Sequence, residues 1–174
     1  MTKTNLAGNF FSASLVLFVF GGGLAWGQQE LKEATDLNQT VVKLYQAGKY
    51  ANAIPLAQRA LALREQALGP THPDVAQSLN NLAGLYHVQG QYAQAEPLYK
   101  RSLAIQEQAL GPEHPNVAQS LNNLAELYRT QSRYTQAEPL YERSLAIRWK
   151  ALGPNHPDVA QSLNNFAGLY YVQG

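Results

Sequence analysis

Three residue types recur in this chain at a spacing that invites chemistry. His72, His114 and His156 stand 42 residues apart, each followed by proline and then by Asp74, Asn116 or Asp158. Ser78, Ser120 and Ser162 keep the same interval, and shortly after each serine comes an asparagine pair: Asn80 and Asn81, Asn122 and Asn123, Asn164 and Asn165. Zinc needs its ligands about 2 Å from a single ion. Residues one repeat apart are separated by about 10 Å, given helix spacings of 8 to 10 Å. The three histidines therefore cannot share a metal, and a structural place in a loop is expected for them. The serines have no histidine base placed by any recognisable motif, and the acidic residues are scattered without a paired-carboxylate pattern. No enzyme activity, no cofactor and no metal site is expected. The asparagines are more promising: a side-chain amide both donates and accepts, the pairing needed to hold the main chain of an extended peptide without reading its side chains. The alternative is that some of them bond neighbouring helices or face water.

The elements that position these residues come from an internal repeat. Gly69 to Leu110 returns as Gly111 to Leu152 with 30 identities in 42 positions, and Gly153 to Gly174 matches the opening 22 residues at all but three. A fixed period of this length means a stacked array in which each unit is too small to bury its own apolar face. Val75, Leu79, Leu82, Ala83 and Tyr86 form one helical stripe, and Tyr92, Ala95, Tyr99, Leu103 and Ile105 sit in a second helix. Gln89-Gly90-Gln91 between them suits a tight turn, because glycine tolerates a left-handed backbone. Each unit is a helical hairpin. Helices are expected at about 30–47, 51–68, 74–89, 93–109, 116–131, 135–151 and 158–173. Asp74, Asn116 and Asp158, each behind a proline, read as helix starts whose side chains cap free N–H groups. Pro55, Pro97 and Pro139 fall near the first turn of each second helix, where the disruption is small.

The unit resembles the tetratricopeptide repeat (TPR), on Leu79, Leu82, Ala83, Tyr86, Gly90, Tyr92, Ala95, Tyr99 and Leu103. It departs from the common 34-residue form in three ways: a leucine where tryptophan is usual, Ser102 at a usual alanine position, and eight extra linking residues. These departures resemble the 42-residue variety of kinesin light chains, which shares the strings HPDVA, LNNLA and AEPLYKR, and the resemblance covers about Asp36 to Gly174. It implies an all-α, right-handed superhelical solenoid of antiparallel hairpins, about three and a half repeats at about 36–68, 74–110, 116–152 and a partial 158–174. The first repeat is degenerate, and its first helix lacks the LNNLA string.

In such a solenoid the first helices line the concave surface. The resemblance maps a peptide-binding groove onto Gln77, Asn80, Asn81, Gly84, His87 and Val88 in the first full copy. The second copy adds Gln119, Asn122, Asn123, Glu126 and Arg129, with Thr130 beside them, and the third adds Gln161, Asn164, Asn165, Gly168, Tyr171 and Val172. Three of the 12 differences between the full copies, Gly84/Glu126, His87/Arg129 and Val88/Thr130, fall here. A fixed amide row beside variable neighbours suits a groove that holds a backbone generically and selects side chains locally. Drift on an exposed surface is the alternative.

Residues 1–27 belong to another class of sequence. Lys3 precedes the apolar run Phe10 to Phe20, and small residues, Ala25 and Gly27, occupy the positions a signal peptidase inspects. A cleaved export signal is expected, with Gln28 opening a helical repeat domain of residues 28–174 and a periplasmic or secreted location. An uncleaved anchor is the alternative. However, the 16 residues from Phe10 to Ala25 span about 24 Å against a membrane core of about 30 Å, so stable membrane insertion is not expected. Residues 28–174 carry 12 Lys+Arg and 12 Asp+Glu, a balance that points away from nucleic acid and anionic membranes. There is no cysteine.

The expected function is a non-catalytic scaffold for a protein or an extended peptide. The alternatives are a regulatory or sensor arm of a larger signalling protein or enzyme, and self-association through an open last helix, 158–173, by Phe166 and Tyr170.

Overall fold

The structure, a computed structural model, describes residues 13–173 and the side chains of residues 27–171. Lys3 and Phe10, which open the expected export signal, lie outside the described residues, as do Gly174 and the side chain of Val172. Seven α-helices follow one another: α1 (Ala13–Gln46), α2 (Tyr50–Leu68), α3 (Pro73–Val88), α4 (Tyr92–Leu110), α5 (Pro115–Thr130), α6 (Tyr134–Leu152) and α7 (Pro157–Gln173). The described residues contain no strand. Six helices match the sequence expectation closely. The first is far longer, because the expected start near residue 30 ignored the helical backbone before it. Glycines weaken a helix by about 1 kcal/mol each but keep their N–H, so the ladder continues through Gly21 to Gly23 and across Gly27–Gln28. No helix among the described residues is long and apolar enough to cross a membrane.

The helix starts correct the sequence reading in one respect. Nδ1 of His72, His114 and His156 accepts from the backbone N–H of Asp74, Asn116 and Asp158, each at 3.1 Å. Histidine is thus the N-cap and proline the first helical residue of α3 and α5, while the Asp or Asn supplies the backbone donor rather than the capping side chain. This accounts for the 42-residue recurrence of histidine without any metal. At the far end of each second helix, Gly69, Gly111 and Gly153 adopt φ of 80 to 86° with an extended ψ, a region open essentially only to glycine. The hairpin turn uses Gly90 at φ 73°, where the next copy has Ser132 at φ 58°.

Each hairpin closes over alanines and tyrosines. Leu82, Ala83, Leu85 and Tyr86 of α3 meet Ala95 and Tyr99 of α4, and Leu124, Ala125, Leu127 and Tyr128 of α5 meet Ala137 and Tyr141 of α6, all in one continuous core. Ser102 and Ser144 are buried where alanine is usual. Each donates to a backbone carbonyl of the partner helix, Ala76 or Ala118, at 2.7 Å, so the buried hydroxyls are satisfied. Between hairpins, buried Ser78, Ser120 and Ser162 bond to Arg64, Gln106 and Arg148 of the preceding second helix at 2.8 to 2.9 Å. These serines clamp each first helix to the second helix before it.

Curvature follows from which helices meet. Every helix packs on its sequence neighbour; in addition α3 touches α5 and α5 touches α7, whereas among the described residues α2, α4 and α6 lie too far apart for comparable backbone approach. The bridging side chains agree. Short asparagine pairs span the inner gaps, and long Arg–Glu pairs, Arg101–Glu65 and Arg143–Glu107, both 2.6 Å, span the outer ones. The first helices therefore line the concave side.

Candidate functional site

The concave side carries a channel made of two adjoining grooves of different chemistry. Near the starts of α3 and α5 lies a groove of about 390 Å3 whose walls include Gln77, Asn80, Asn81, Asn116, Gln119 and Asn123, with Gln106 of α4 below. Further along lies a groove of about 630 Å3, bounded by Val41, Val42, Tyr45 and Gln46 of α1, by Gly84, Leu85, His87 and Val88 of α3, by Tyr99 of α4 and by Glu126 of α5. Asn80, Asn81 and Asn123 line both, so the two halves share a wall of amides.

Part of the expected amide row is already occupied. Asn123 Nδ2 donates to Asn80 Oδ1 at 3.3 Å, and Asn165 Nδ2 donates to Asn122 Oδ1 at 3.0 Å. Gln119 Nε2 donates to Asn123 Oδ1 at 2.9 Å and its own oxygen accepts from Arg148. The two rows are thus tied diagonally, residue k to residue k+43, and Asn122 is buried at 5% exposure. Gln77, Asn81, Gln161 and Asn164 are exposed and make no side-chain hydrogen bond among the described residues. Gln77 and Asn81 face the channel, whereas Gln161, Asn164 and Tyr171 of α7, the last 89% exposed, line neither half.

The positions that differ between copies are tied to one another. Arg129 donates to Glu126 at 2.8 Å from Nε and at 2.5 Å from Nη2, and Tyr141 Oη adds a third bond to the same carboxylate at 2.6 Å. Burial pushes the Glu126 carboxyl up, but the bonds from Arg129 and Tyr141 and the Arg129 charge outweigh it and hold the group below its ordinary value. His87 Nε2 meets Thr130 Oγ1 at 3.1 Å, and that hydroxyl gives its own hydrogen to the Leu127 carbonyl at 2.8 Å. The ring must therefore donate, which fixes the proton on Nε2. Burial lowers the His87 pKa, with Glu126 opposing and Arg129 reinforcing that shift.

Comparison with known proteins places this architecture. The family model described as the nephrocystin-3 TPR domain matches residues 3–151, and the tetratricopeptide repeat model matches residues 131–174. The chain belongs to the tetratricopeptide repeat family. Nephrocystin-3 of Xenopus laevis is 44% identical over 61 residues, and that of Mus musculus 43% over 61, which is 34% of this chain but 5% of the relatives' own length. Among solved structures, BtubC (BKLC) from P. vanneervenii is 25% identical with a TM-score of 0.73, over 81% of this chain and 56% of that one. A Podosopora anserina kinesin light chain with nearly identical TPR-like repeats is 28% identical with a TM-score of 0.74, over 80% of this chain and 66% of that one. The kinesin-light-chain-like character read from the repeat length holds.

The TPR register also explains what the sequence reading missed. Val42, Tyr45 and Gln46 of α1 stand 42 residues before Gly84, His87 and Val88, yet they carry no LNNLA string to draw attention. Running the repeat one step backwards would have found them. Tyr99 was legible as a packing residue; that its hydroxyl reaches the channel was not.

Proposed function

We propose that this TPR chain is a non-catalytic scaffold that holds an extended peptide, or an extended segment of a protein, along its concave channel. The reading is carried by one observation: an amide-lined groove and a largely apolar groove lie side by side on the inner face and share Asn80, Asn81 and Asn123. Exposed side-chain amides bond a main chain, while the apolar half buries side chains and supplies the hydrophobic gain. TPR solenoids in general mediate protein interactions, and this fold suits that role.

The same reading places the chain outside the cytoplasm after cleavage behind Gly27, on the strength of Ala25 and Gly27 after an apolar run. A second reading, a regulatory TPR arm of a larger signalling protein or enzyme, is favoured by the small share of nephrocystin-3 that the chain matches.

Selection of peptides from a displayed random library against the full chain tests the scaffold. Binders should shift the amide signals of Asn80, Asn81 and Asn123; binders that map to the outer faces of α4 and α6 would contradict it.

A further inference from the structure

Gly84 and Glu126 occupy the same place in successive repeats, and each faces an equivalent tyrosine, Tyr99 or Tyr141, with opposite results. In the second repeat, the Tyr141 hydroxyl donates to Glu126 at 2.6 Å and Arg129 supplies the countercharge. In the first, residue 84 supplies no carboxylate and Tyr99 makes no hydrogen bond to Glu126, which lines the same groove. A Cβ on Gly84 would lie 3.6 Å from Tyr99 Oη, an ordinary contact. Tyr99 is only 3% exposed, lines the 630 Å3 groove and makes no hydrogen bond among the described residues. The ring is buried, but no fully buried polar side-chain atom among the described residues lacks a partner, so the Tyr99 hydroxyl is open to the groove as a free donor.

The neighbours decide what kind of acceptor. His87 stands where the second repeat has Arg129, and its Nε2–H is already given to Thr130. Glu126 lines the same groove with its charge matched by Arg129. Among the described residues that line the groove, an incoming carboxylate would find no free cation and an incoming ammonium no free carboxylate, so either would be desolvated without a partner. The walls offer apolar surface instead: Val42 and Val88 are 49% and 44% exposed, with Leu85 and the Tyr45 ring beside them.

Building on the scaffold reading, we propose that this groove is a specificity subsite for one uncharged apolar side chain of a bound peptide, that a main-chain carbonyl of the same peptide accepts from Tyr99 Oη, and that residue 84 sets the preference. The second repeat shows how the subsite is closed, since its own Glu126 fills the place and takes the tyrosine hydroxyl. Gly84→Glu supplies the carboxylate of that arrangement without its arginine, and because a Cβ there meets only an ordinary contact the variant is expected to fold.

The test uses the full chain, 15N-labelled, titrated with capped pentapeptides acetyl-Ala-Ala-X-Ala-Ala-amide in which X is Leu, Phe, Glu or Lys. The Leu and Phe peptides should move the Gly84 amide and bind about tenfold or more tightly than the Glu and Lys peptides, the equivalent of burying one apolar side chain. Tyr99→Phe should weaken the Leu peptide about fivefold, one hydrogen bond's worth, and Gly84→Glu about tenfold or more. A preference for Glu or Lys, or a Leu affinity indifferent to both substitutions, overturns the subsite. If the peptides nonetheless move Asn80, Asn81 and Asn123, the scaffold reading stands without it; no inner-face shift with any peptide removes both.

Discussion

Asn165 donates its side-chain amide to Oδ1 of Asn122 at 3.0 Å across the gap between α7 and α5. Asn123 and Asn80 repeat the contact one hairpin earlier, at 3.3 Å. The double asparagine therefore has two jobs: the first residue of one pair and the second of the next lock neighbouring first helices together, and of the two left over Asn81 faces the channel while Asn164 lines neither half.

That division predicts opposite outcomes for two asparagines close together on the inner face. Asn122→Ala, at a buried and bonded site, should lower unfolding stability by about 1–2 kcal/mol in urea titrations, because it strands the Asn165 amide. Asn81→Ala, at an exposed site in both halves of the channel, should change stability by less than about 0.5 kcal/mol and weaken peptide binding instead. Equal destabilisation by the two would show that the rows are not divided in this way.

The histidine caps make a second prediction. His114→Ala removes the only side-chain acceptor for the Asn116 N–H at the start of α5 and should cost about 1 kcal/mol. His114→Ser, which retains capping ability, should recover most of that loss in the same urea titration. A stable alanine variant with impaired metal content would instead revive the metal reading.

Acid should loosen the joint between α4 and α5 with its following turn. Glu96 accepts from Arg133 at 2.6 Å and from Tyr128 at 3.1 Å, and meets Lys100 at 2.7 Å. Foremost the Arg133 hydrogen bond, against a smaller opposing effect of burial and with help from Lys100 and Tyr128, brings its pKa from 4.5 down to about 2. Because the folded value is the lower one, the carboxylate stabilises the fold fully above pH 4.5, and that contribution is lost as pH falls from there towards 2. Glu96→Gln should therefore lower stability at pH 7 and flatten the acid limb of a stability-against-pH curve. An unchanged acid limb would mean the cluster contributes nothing.

Export makes a fourth prediction. Protein recovered from its native host should begin at Gln28 on N-terminal sequencing, as the small residues Ala25 and Gly27 require. Retention of Met1 or Thr2 would refute cleavage.

The repeat period made most of the fold legible before any coordinates, because a 42-residue echo fixes helix pairs and their order together. What escaped it were features that depend on a residue's partner rather than its type. The caps were assigned to Asp74, Asn116 and Asp158 because those residues usually cap, whereas the chain reaches back to histidine Nδ1. Pro97 looked harmless near a helix start, yet it is the sixth residue of α4 and removes one intrahelical bond. Glu126, Arg129 and Thr130 read as independent variation, but Glu126 and Arg129 pair with each other, and Thr130 takes the His87 donor. The start of α1 was obscured by glycines that weaken a helix without ending it.

The central claim is that the free amides on the inner face hold a peptide's main chain. The most direct measurement takes a peptide selected against the full chain, replaces its backbone amides one at a time by esters, and determines the affinity of each. A loss of about fivefold is expected at the positions that meet Gln77, Asn81 and the Asn80 amide, since each ester removes one N–H donor and weakens the carbonyl acceptor next to it. Ester peptides that all bind as tightly as the parent would contradict it.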